Sequence, residues 1–134
     1  MCIENKISNV FFVGFKQKEE LSQYYAISDL FVLPSTQEVW GLVLNEAVAC
    51  GLPVITTDKV GASTDLIKDG VNGYVVESRN AEHLCDAMKK VLLDPEVRSR
   101  MGKASKEIIE NGFTINDAAN GTIEAVNYVM NRYR

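Results

Sequence analysis

The residues best suited to chemistry lie between Ser35 and Ile55, where a polar loop precedes a helix predicted to begin at Gly41. The first amides of a helix have no helical partners, and with the helix dipole they form an anion-binding site. Here those amides belong to Gly41, Leu42 and Val43. Because Gly41 has no side chain, a phosphate can approach the backbone closely. This segment therefore predicts a phosphate site.

Two glutamates flank the predicted phosphate site. Glu38 lies in the loop before the helix, and Glu46 lies about a turn and a half inside it. Carboxylates accept hydrogen bonds from hydroxyl groups, often from two at once. A carboxylate on each side of a phosphate site indicates a ligand with hydroxyls at both ends of its phosphates, and a nucleotide sugar is such a ligand.

Each glutamate also has a simpler interpretation. Glu38 can be a solvated loop residue, since glutamate is rarely buried without a partner. Glu46 lies on a helix whose other residues are mostly apolar, so it needs a partner. That partner is either a ligand hydroxyl or a nearby backbone amide, and the residues alone leave both open.

Short apolar runs alternate with helical patterns along the chain. The runs at 9–14, 30–33, 54–57 and 74–76 predict four buried strands. Helices are predicted at 18–27, 41–50, 64–68, 81–93, 95–111 and 114–132. This alternation indicates an α/β domain with a parallel sheet covered on both faces. Ligands of such sheets bind at the carboxyl ends of the strands, which directs attention to the loops at 15–17, 35–40 and 58–63.

Polar residues are predicted to begin the last three helices. Asn80 and Asp94 can each accept a hydrogen bond from a first-turn amide, and a proline follows Asp94 in a position that helices favour. Thr114, with Asp117 three residues later, resembles a capping box.

Composition and charge exclude several classes of protein. The 134 residues carry 14 Lys and Arg against 18 Asp and Glu, a net charge of -4, and the longest basic run is Lys89-Lys90. Nucleic-acid binding is therefore not expected. No apolar stretch approaches the roughly 20 residues that span a bilayer. The three cysteines lack metal-ligand spacing, which predicts reduced, partly buried thiols and no zinc site. The single histidine, His83, is expected at the surface.

Several segments extend the pattern around the glutamates. Glu38 and Glu46 form an E-x7-E motif, with FVLPS before it and EAVACGLPVI from its second glutamate onward. Further along the chain lie VGASTDLIKDGVNGYVV and LLDPEVRSRMGKAS. Together these segments resemble the C-terminal nucleotide-binding domain of the retaining, family-4 GT-B glycosyltransferases. The resemblance covers the chain from Val10 onward.

The resemblance implies a role for each residue of the predicted phosphate site. Glu38, the candidate catalytic residue, would hydrogen-bond to hydroxyls of the donor sugar, and Glu46 would bind the ribose hydroxyls. The amides of Gly41, Leu42 and Val43 would hold the donor diphosphate. The implied reaction is transfer with retention and without a metal or other cofactor, in which fixed hydrogen-bond donors stabilise the leaving diphosphate.

Four more residues receive roles from the same resemblance. Ser35 would line the strand end near the donor, and Phe15 and Lys16 would lie near the base. Trp40 would lie between the two glutamates at the donor site. Its alternative role is that of an aromatic side chain packed over the helix start.

The resemblance also implies a Rossmann-like, three-layer fold with about four parallel strands, as part of a GT-B C-terminal domain that takes up residues 1–134. In that family the domain begins with two more strand-helix units, and the first of them carries an Arg and a Lys that neutralise the donor phosphates. An N-terminal domain supplies the site for the acceptor, a glycan or lipid. Neither precedes Val10 here, so we expect a fragment that transfers no sugar by itself.

The first predicted strand raises a packing question. In the strand order 3-2-1-4-5-6, a chain holding only strands 3 to 6 lacks the neighbours of its first strand. We expect the strand at Val10 to collapse against the strand at Leu30. Pairing of exposed edges in a homodimer is the other outcome.

The main expectation is that the chain is part of a cytoplasmic glycosyltransferase, whose full-length form can act at the inner face of the membrane. Other functions remain open. One is a non-catalytic module that binds nucleoside diphosphates weakly. Another is an α/β interaction domain of the receiver type, but Asp29 precedes its strand, whereas a phospho-acceptor belongs at the carboxyl end. A sugar-nucleotide epimerase is the weaker alternative among enzymes, because such an enzyme would lack the E-x7-E motif together with the EAVACGLP segment.

Overall fold

The computed structural model describes residues 7–132. Helices and strands alternate along most of this range. In chain order they are α1 (Lys18–Ile27), β1 (Phe31–Leu33), α2 (Leu42–Ala49), β2 (Val54–Thr57), α3 (Ser63–Leu66), β3 (Gly73–Val76), α4 (Ala81–Leu92), α5 (Pro95–Glu110) and α6 (Ile115–Arg132).

The sheet is parallel, with its strands in the order β1-β2-β3. Ile55 in the central strand pairs with Val32 on one side and with Tyr74 on the other. Every residue of β2 is buried, as expected for a strand that has a neighbour on both edges and helices on both faces. These strands confirm three of the four that the apolar runs predict.

Two apolar clusters cover the two faces of the sheet, because side chains alternate along each strand. Val54 faces a cluster formed with α2 and α3, which includes Leu44, Val48 and Leu66. Ile55 faces the other cluster, which α4 and α5 complete with Val91 and Met101. The predicted three-layer arrangement is therefore confirmed.

The segment at 9–14 is not a strand, and this prediction is wrong. Phe11 and Phe12 are 81% and 86% exposed, and no residue of the segment pairs with β1. An apolar run forms a strand only where another strand satisfies its backbone groups, and residues 7–132 offer none at that place. The expected total of about four strands is therefore also wrong, and so is the collapse of the strand at Val10 against the strand at Leu30. A homodimer through the free edge of β1 stays a prediction.

The predicted helix starts are confirmed. Asn80 Oδ1 accepts a hydrogen bond from the amide of His83 at 3.0 Å. Asp94 Oδ1 accepts two, from the amides of Glu96 and Val97. Thr114 and Asp117 form the expected reciprocal pair, at 2.9 Å from the Thr114 amide and 3.2 Å from the Asp117 amide.

The last helix, α6, buries none of its residues. Its apolar side chains Ile123, Val126, Val129 and Met130 are each more than half exposed. The helix forms, but its apolar face stays largely exposed among residues 7–132.

Cys50 and Cys85 are free and exposed, so the prediction of partly buried thiols is wrong for both. Cys2 lies outside the described residues. His83 is exposed, as predicted. None of the helices between residues 7 and 132 combines the length and apolar character that crossing a bilayer requires.

Candidate functional site

The loops that follow β1 and β2 are joined by backbone hydrogen bonds. The Glu38 amide donates to the Lys59 carbonyl at 3.0 Å, and the Gly61 amide donates to the Glu38 carbonyl at 3.0 Å. These bonds form a parallel bridge between Glu38 and Val60, which continues the sheet beyond its strands. Although Glu38 lies in a loop, its backbone is therefore held in place at the carboxyl edge of the sheet.

This bridge requires a glycine at position 61. A Cβ atom there would overlap the carbonyl oxygen of Val39. The next bond, from the Ala62 amide to the Trp40 carbonyl at 2.9 Å, keeps the two loops in the same close contact. Gly61 thus acts on the site through the backbone of its neighbouring loop.

Gly41 precedes α2 with φ of +90°, in the left-handed region that favours glycine. A Cβ atom there would lie 3.0 Å from Val60 Cγ1 and 3.3 Å from Glu38 Cγ. The space that this glycine leaves therefore lies inside the protein, at the base of the Glu38 side chain. Its role in the structure is to allow the turn and this packing, which the sequence argument from phosphate access does not anticipate.

The first turn of α2 has free amides. No side chain caps this helix, and the Leu44 amide donates to the Gly41 carbonyl at 2.8 Å. Within the described residues, the amides of Leu42 and Val43 have no acceptor. The Leu42 side chain is 70% exposed, so this turn lies at the surface. The arrangement meets the electrostatic requirement for an anion site.

Glu46 accepts a hydrogen bond from the hydroxyl of Tyr25, with 2.8 Å between Tyr25 Oη and Glu46 Oε2. Its partner is therefore a side chain from α1 and not the backbone amide considered from the sequence. Burial of the phenol, followed by its bond to Glu46, raises the pKa of Tyr25 well above its usual value. The hydroxyl remains a donor at neutral pH.

Sequence reasoning missed Tyr25, which lies within the helix predicted at 18–27 and is not among the residues expected at the site. A half-buried tyrosine needs a hydrogen-bond partner for its hydroxyl, and this was the available signal. The partner itself lies 21 residues away, and no local pattern connects the two positions.

Trp40 and Ser35 lie on either side of the loop that carries Glu38. The indole N–H of Trp40 donates to Asn45 Oδ1 at 3.0 Å, which links the ring to the fourth residue of α2. Ser35 accepts a bond from Thr57 through its backbone carbonyl, at 2.6 Å, and so ties the end of β1 to the end of β2. Both residues are at the predicted edge of the sheet.

Phe15 and Lys16 lie before the first turn of α1. Phe15 is 85% exposed, and Lys16 forms an ion pair with Glu20 at 3.6 Å. The Lys16 ammonium also lies 5.7 Å from the centroid of the Tyr24 ring. Among the residues that the structure describes, no hydrogen bond or ion pair joins Lys16 to Tyr25 or Glu46. The role of Phe15 and Lys16 near a base stays a prediction.

Among residues 7–132, no group of three acidic, histidine or cysteine side chains is arranged to hold a metal ion. The roles of all the predicted site residues, and the independence of the reaction from metals, stay predictions at this point.

Comparisons with known proteins match this fold and this segment. A family model described as glycosyl transferases group 1 matches residues 4–108. The sulfoquinovosyl transferase SQD2 of Arabidopsis thaliana is 38% identical over 102 residues, which are 74% of this chain and 20% of that protein.

Solved structures show the same architecture. Sucrose-phosphate synthase from Thermosynechococcus elongatus matches 98% of this chain and 33% of its own, with a TM-score of 0.87 and 30% identity. Anabaena HepE, solved in complex with UDP, matches 95% of this chain and 35% of its own, with a TM-score of 0.86 and 24% identity. These likenesses confirm the predicted α/β fold of a GT-B C-terminal domain. This chain therefore spans between a fifth and about a third of the length of these three proteins.

Proposed function

The chain belongs to the group 1 glycosyl transferases, and from this premise we propose that it forms the part of an enzyme that binds a nucleoside-diphosphate sugar. The observation that carries the proposal is the uncapped first turn of α2, with Glu38 anchored in the loop before the helix and Glu46 in its second turn. The complex of HepE with UDP adds support, because that protein shares the fold.

In the proposed complex, the diphosphate lies against the first-turn amides of α2. The amides of Leu42 and Val43, which have no acceptor within the described residues, donate to its oxygens together with that of Gly41. Glu46 accepts hydrogen bonds from the ribose hydroxyls, and Glu38 accepts them from hydroxyls of the sugar. Ser35 and Trp40 line the same site.

We further propose that the enzyme transfers the sugar with retention and without a metal. The bond between the anomeric carbon and the diphosphate breaks, a bond to an acceptor oxygen forms, and the acceptor hydroxyl passes its proton to an oxygen of the leaving diphosphate. Negative charge grows on the leaving diphosphate, where fixed amide donors stabilise it without reorganising. Glu38 is the proposed catalytic residue, since its anchored backbone keeps the carboxylate at the sugar during this step.

The acceptor in this proposal is a glycan or lipid, bound by a domain other than the one described here, and the enzyme works in the cytoplasm or at the inner face of the membrane. The 134-residue chain by itself is then expected to bind nucleotide but to transfer no sugar. The chain has a net charge of -4, which opposes binding of an anion. We expect a Kd in the millimolar range, about 4 kcal/mol of binding free energy.

Titration with UDP, GDP and ADP, followed by the fluorescence of Trp40, tests the proposal. Trp40 is the single tryptophan, and it is hydrogen-bonded to Asn45 of α2, so its emission should report whether nucleotide occupies the site. One nucleotide should give a saturable change, and Glu46→Gln should weaken its binding about tenfold by removing a charged acceptor.

Glu110→Gln provides a matched control, because it removes an exposed carboxylate at the end of α5. Its affinity should equal that of the unmodified chain. Absence of a saturable change with all three nucleotides, in a folded sample, would rule out a donor site in this chain. Equal affinities for the unmodified chain and Glu46→Gln would remove Glu46 from the site.

A further inference from the structure

The contact between Tyr25 and Glu46 joins α1 to the predicted nucleotide site. The Tyr25 hydroxyl donates to Glu46 Oε2 at 2.8 Å. Within the described residues, neither carboxylate oxygen of Glu46 receives another hydrogen bond or ion pair. One oxygen of Glu46 is therefore held by the protein, while Oε1 is available to a ligand.

The position of the Tyr25 hydroxyl is itself determined by packing. Its ring lies 5.8 Å from that of Phe31, centroid to centroid, at an angle of 58°. Both rings pack against the apolar cluster that contains Leu44 and Val48. The hydroxyl thus extends from a ring held by the core toward a carboxylate at the surface of the site.

We propose that Tyr25 is a positioning residue, which holds Glu46 Oε2 so that Oε1 is directed to the ribose hydroxyls of a nucleoside diphosphate. This inference rests on the proposed function, because it assigns a role at the same site. A glutamate side chain loses rotamer freedom when it binds a ligand. A carboxylate that is already oriented loses less of that freedom on binding, so its hydrogen bond to ribose contributes more to affinity.

A purely structural role for the same hydrogen bond leads to a different result. If the bond only links α1 to α2, its loss lowers the stability of the fold and affects all ligands of the site alike. If it orients Glu46, its loss affects the contact with ribose and leaves contacts with the diphosphate and base unchanged. A ligand that lacks the ribose hydroxyls separates the two roles.

The experiment compares UDP, GDP and ADP with their 2′,3′-dideoxy counterparts, which lack both ribose hydroxyls, on the 134-residue chain and its Tyr25→Phe variant. The phenylalanine keeps the ring and its packing on Phe31, and it removes the hydroxyl. We expect Tyr25→Phe to weaken binding of the ribonucleotide about five- to tenfold and binding of the dideoxynucleotide less than about twofold. Thermal unfolding establishes that each sample is folded at the temperature of the titration.

Tyr74→Phe is the matched control, since it removes a hydroxyl from a half-buried tyrosine of β3 that packs in the cluster of Ile55, on the face of the sheet opposite that of Tyr25. It should leave both affinities unchanged. An equal loss of affinity for ribonucleotide and dideoxynucleotide, or no loss for either, would overturn the role of Tyr25 while leaving the donor site intact. Absence of binding to the unmodified chain would instead overturn the proposed function, and the role of Tyr25 with it.

Discussion

Single carboxylates hold together the loops around the site. Asp58, which follows β2, accepts two hydrogen bonds. One comes from the Lys59 ammonium to Oδ2 at 2.7 Å, and the other from the Ser78 amide to Oδ1 at 2.9 Å. The bond to Lys59 and then the bond to Ser78 lower the pKa of Asp58. This residue therefore links the end of β2 to the chain that follows β3, next to the loop that anchors Glu38.

Asp58 should make the stability of the fold depend on pH. A carboxyl whose pKa is lowered by folding stabilises the fold above its unfolded pKa of about 3.9, and this contribution is lost as the pH falls through the folded value. Asp58→Asn should therefore be less stable than the unmodified chain at neutral pH, and the difference in unfolding free energy should shrink as the pH falls below about 3.9. Urea unfolding across this range measures it.

Asp86→Asn serves as the control, because Asp86 is exposed and its contact is an ion pair with Lys89 on the same helix. Its difference from the unmodified chain should stay small throughout. A difference for Asp58→Asn that grows toward acid would show that the sign is wrong.

At the scale of the elements, the bridge between Glu38 and Val60 extends the sheet into the site. We predict that Gly61→Ala breaks this extension, because the added Cβ would overlap the Val39 carbonyl oxygen. The expected cost is about 1–3 kcal/mol of unfolding free energy, typical of overpacking. Nucleotide binding should weaken as well, since the backbone of Glu38 shifts.

The same substitution at position 121 should have almost no effect on the fold. Gly121 lies in α6, and a Cβ there meets no atom within 4 Å. Gly121→Ala should therefore change the unfolding free energy by less than about 0.5 kcal/mol. Denaturant unfolding of both variants measures the contrast, and equal stabilities would contradict the proposed role of Gly61.

Local features of the elements could be predicted from the sequence, and those that depend on distant partners could not. The caps at Asn80, Asp94 and Thr114 could be predicted because each hydrogen bond spans only two or three residues, and the structure confirms them. The segment at 9–14 resembles a strand equally well, but a strand also needs a neighbour, which no local pattern reports. The same limit applies to the site, where Glu46 was identified and its partner Tyr25 was not.

At the scale of the whole molecule, the packed core ends before α6. We predict that removing residues 114–134 changes the unfolding free energy by less than about 0.5 kcal/mol, because α6 buries no side chain. An isolated helix of this length is marginal in water, so the amides of α6 should also exchange with solvent much faster than those of α5. Hydrogen exchange and denaturant unfolding provide the two measurements.

Met101→Ala is the control for this prediction, because Met101 lies in α5 and is fully buried. It should cost about 2–5 kcal/mol. Strong protection of the α6 amides, or a clear loss of stability on truncation, would show that α6 packs on the core in solution.

The strand order β1-β2-β3 follows the order of the chain, and this has a consequence for folding kinetics. Each strand pairs with the next one along the sequence. Each pairing therefore closes a single loop, which contains only one crossover helix. The entropy of loop closure grows with loop length, and folding slows as contacts become more distant in sequence. All the backbone partners of the sheet lie between Phe31 and Val76. During synthesis, its hydrogen-bond ladder is therefore complete in sequence before the ribosome has made the last three helices.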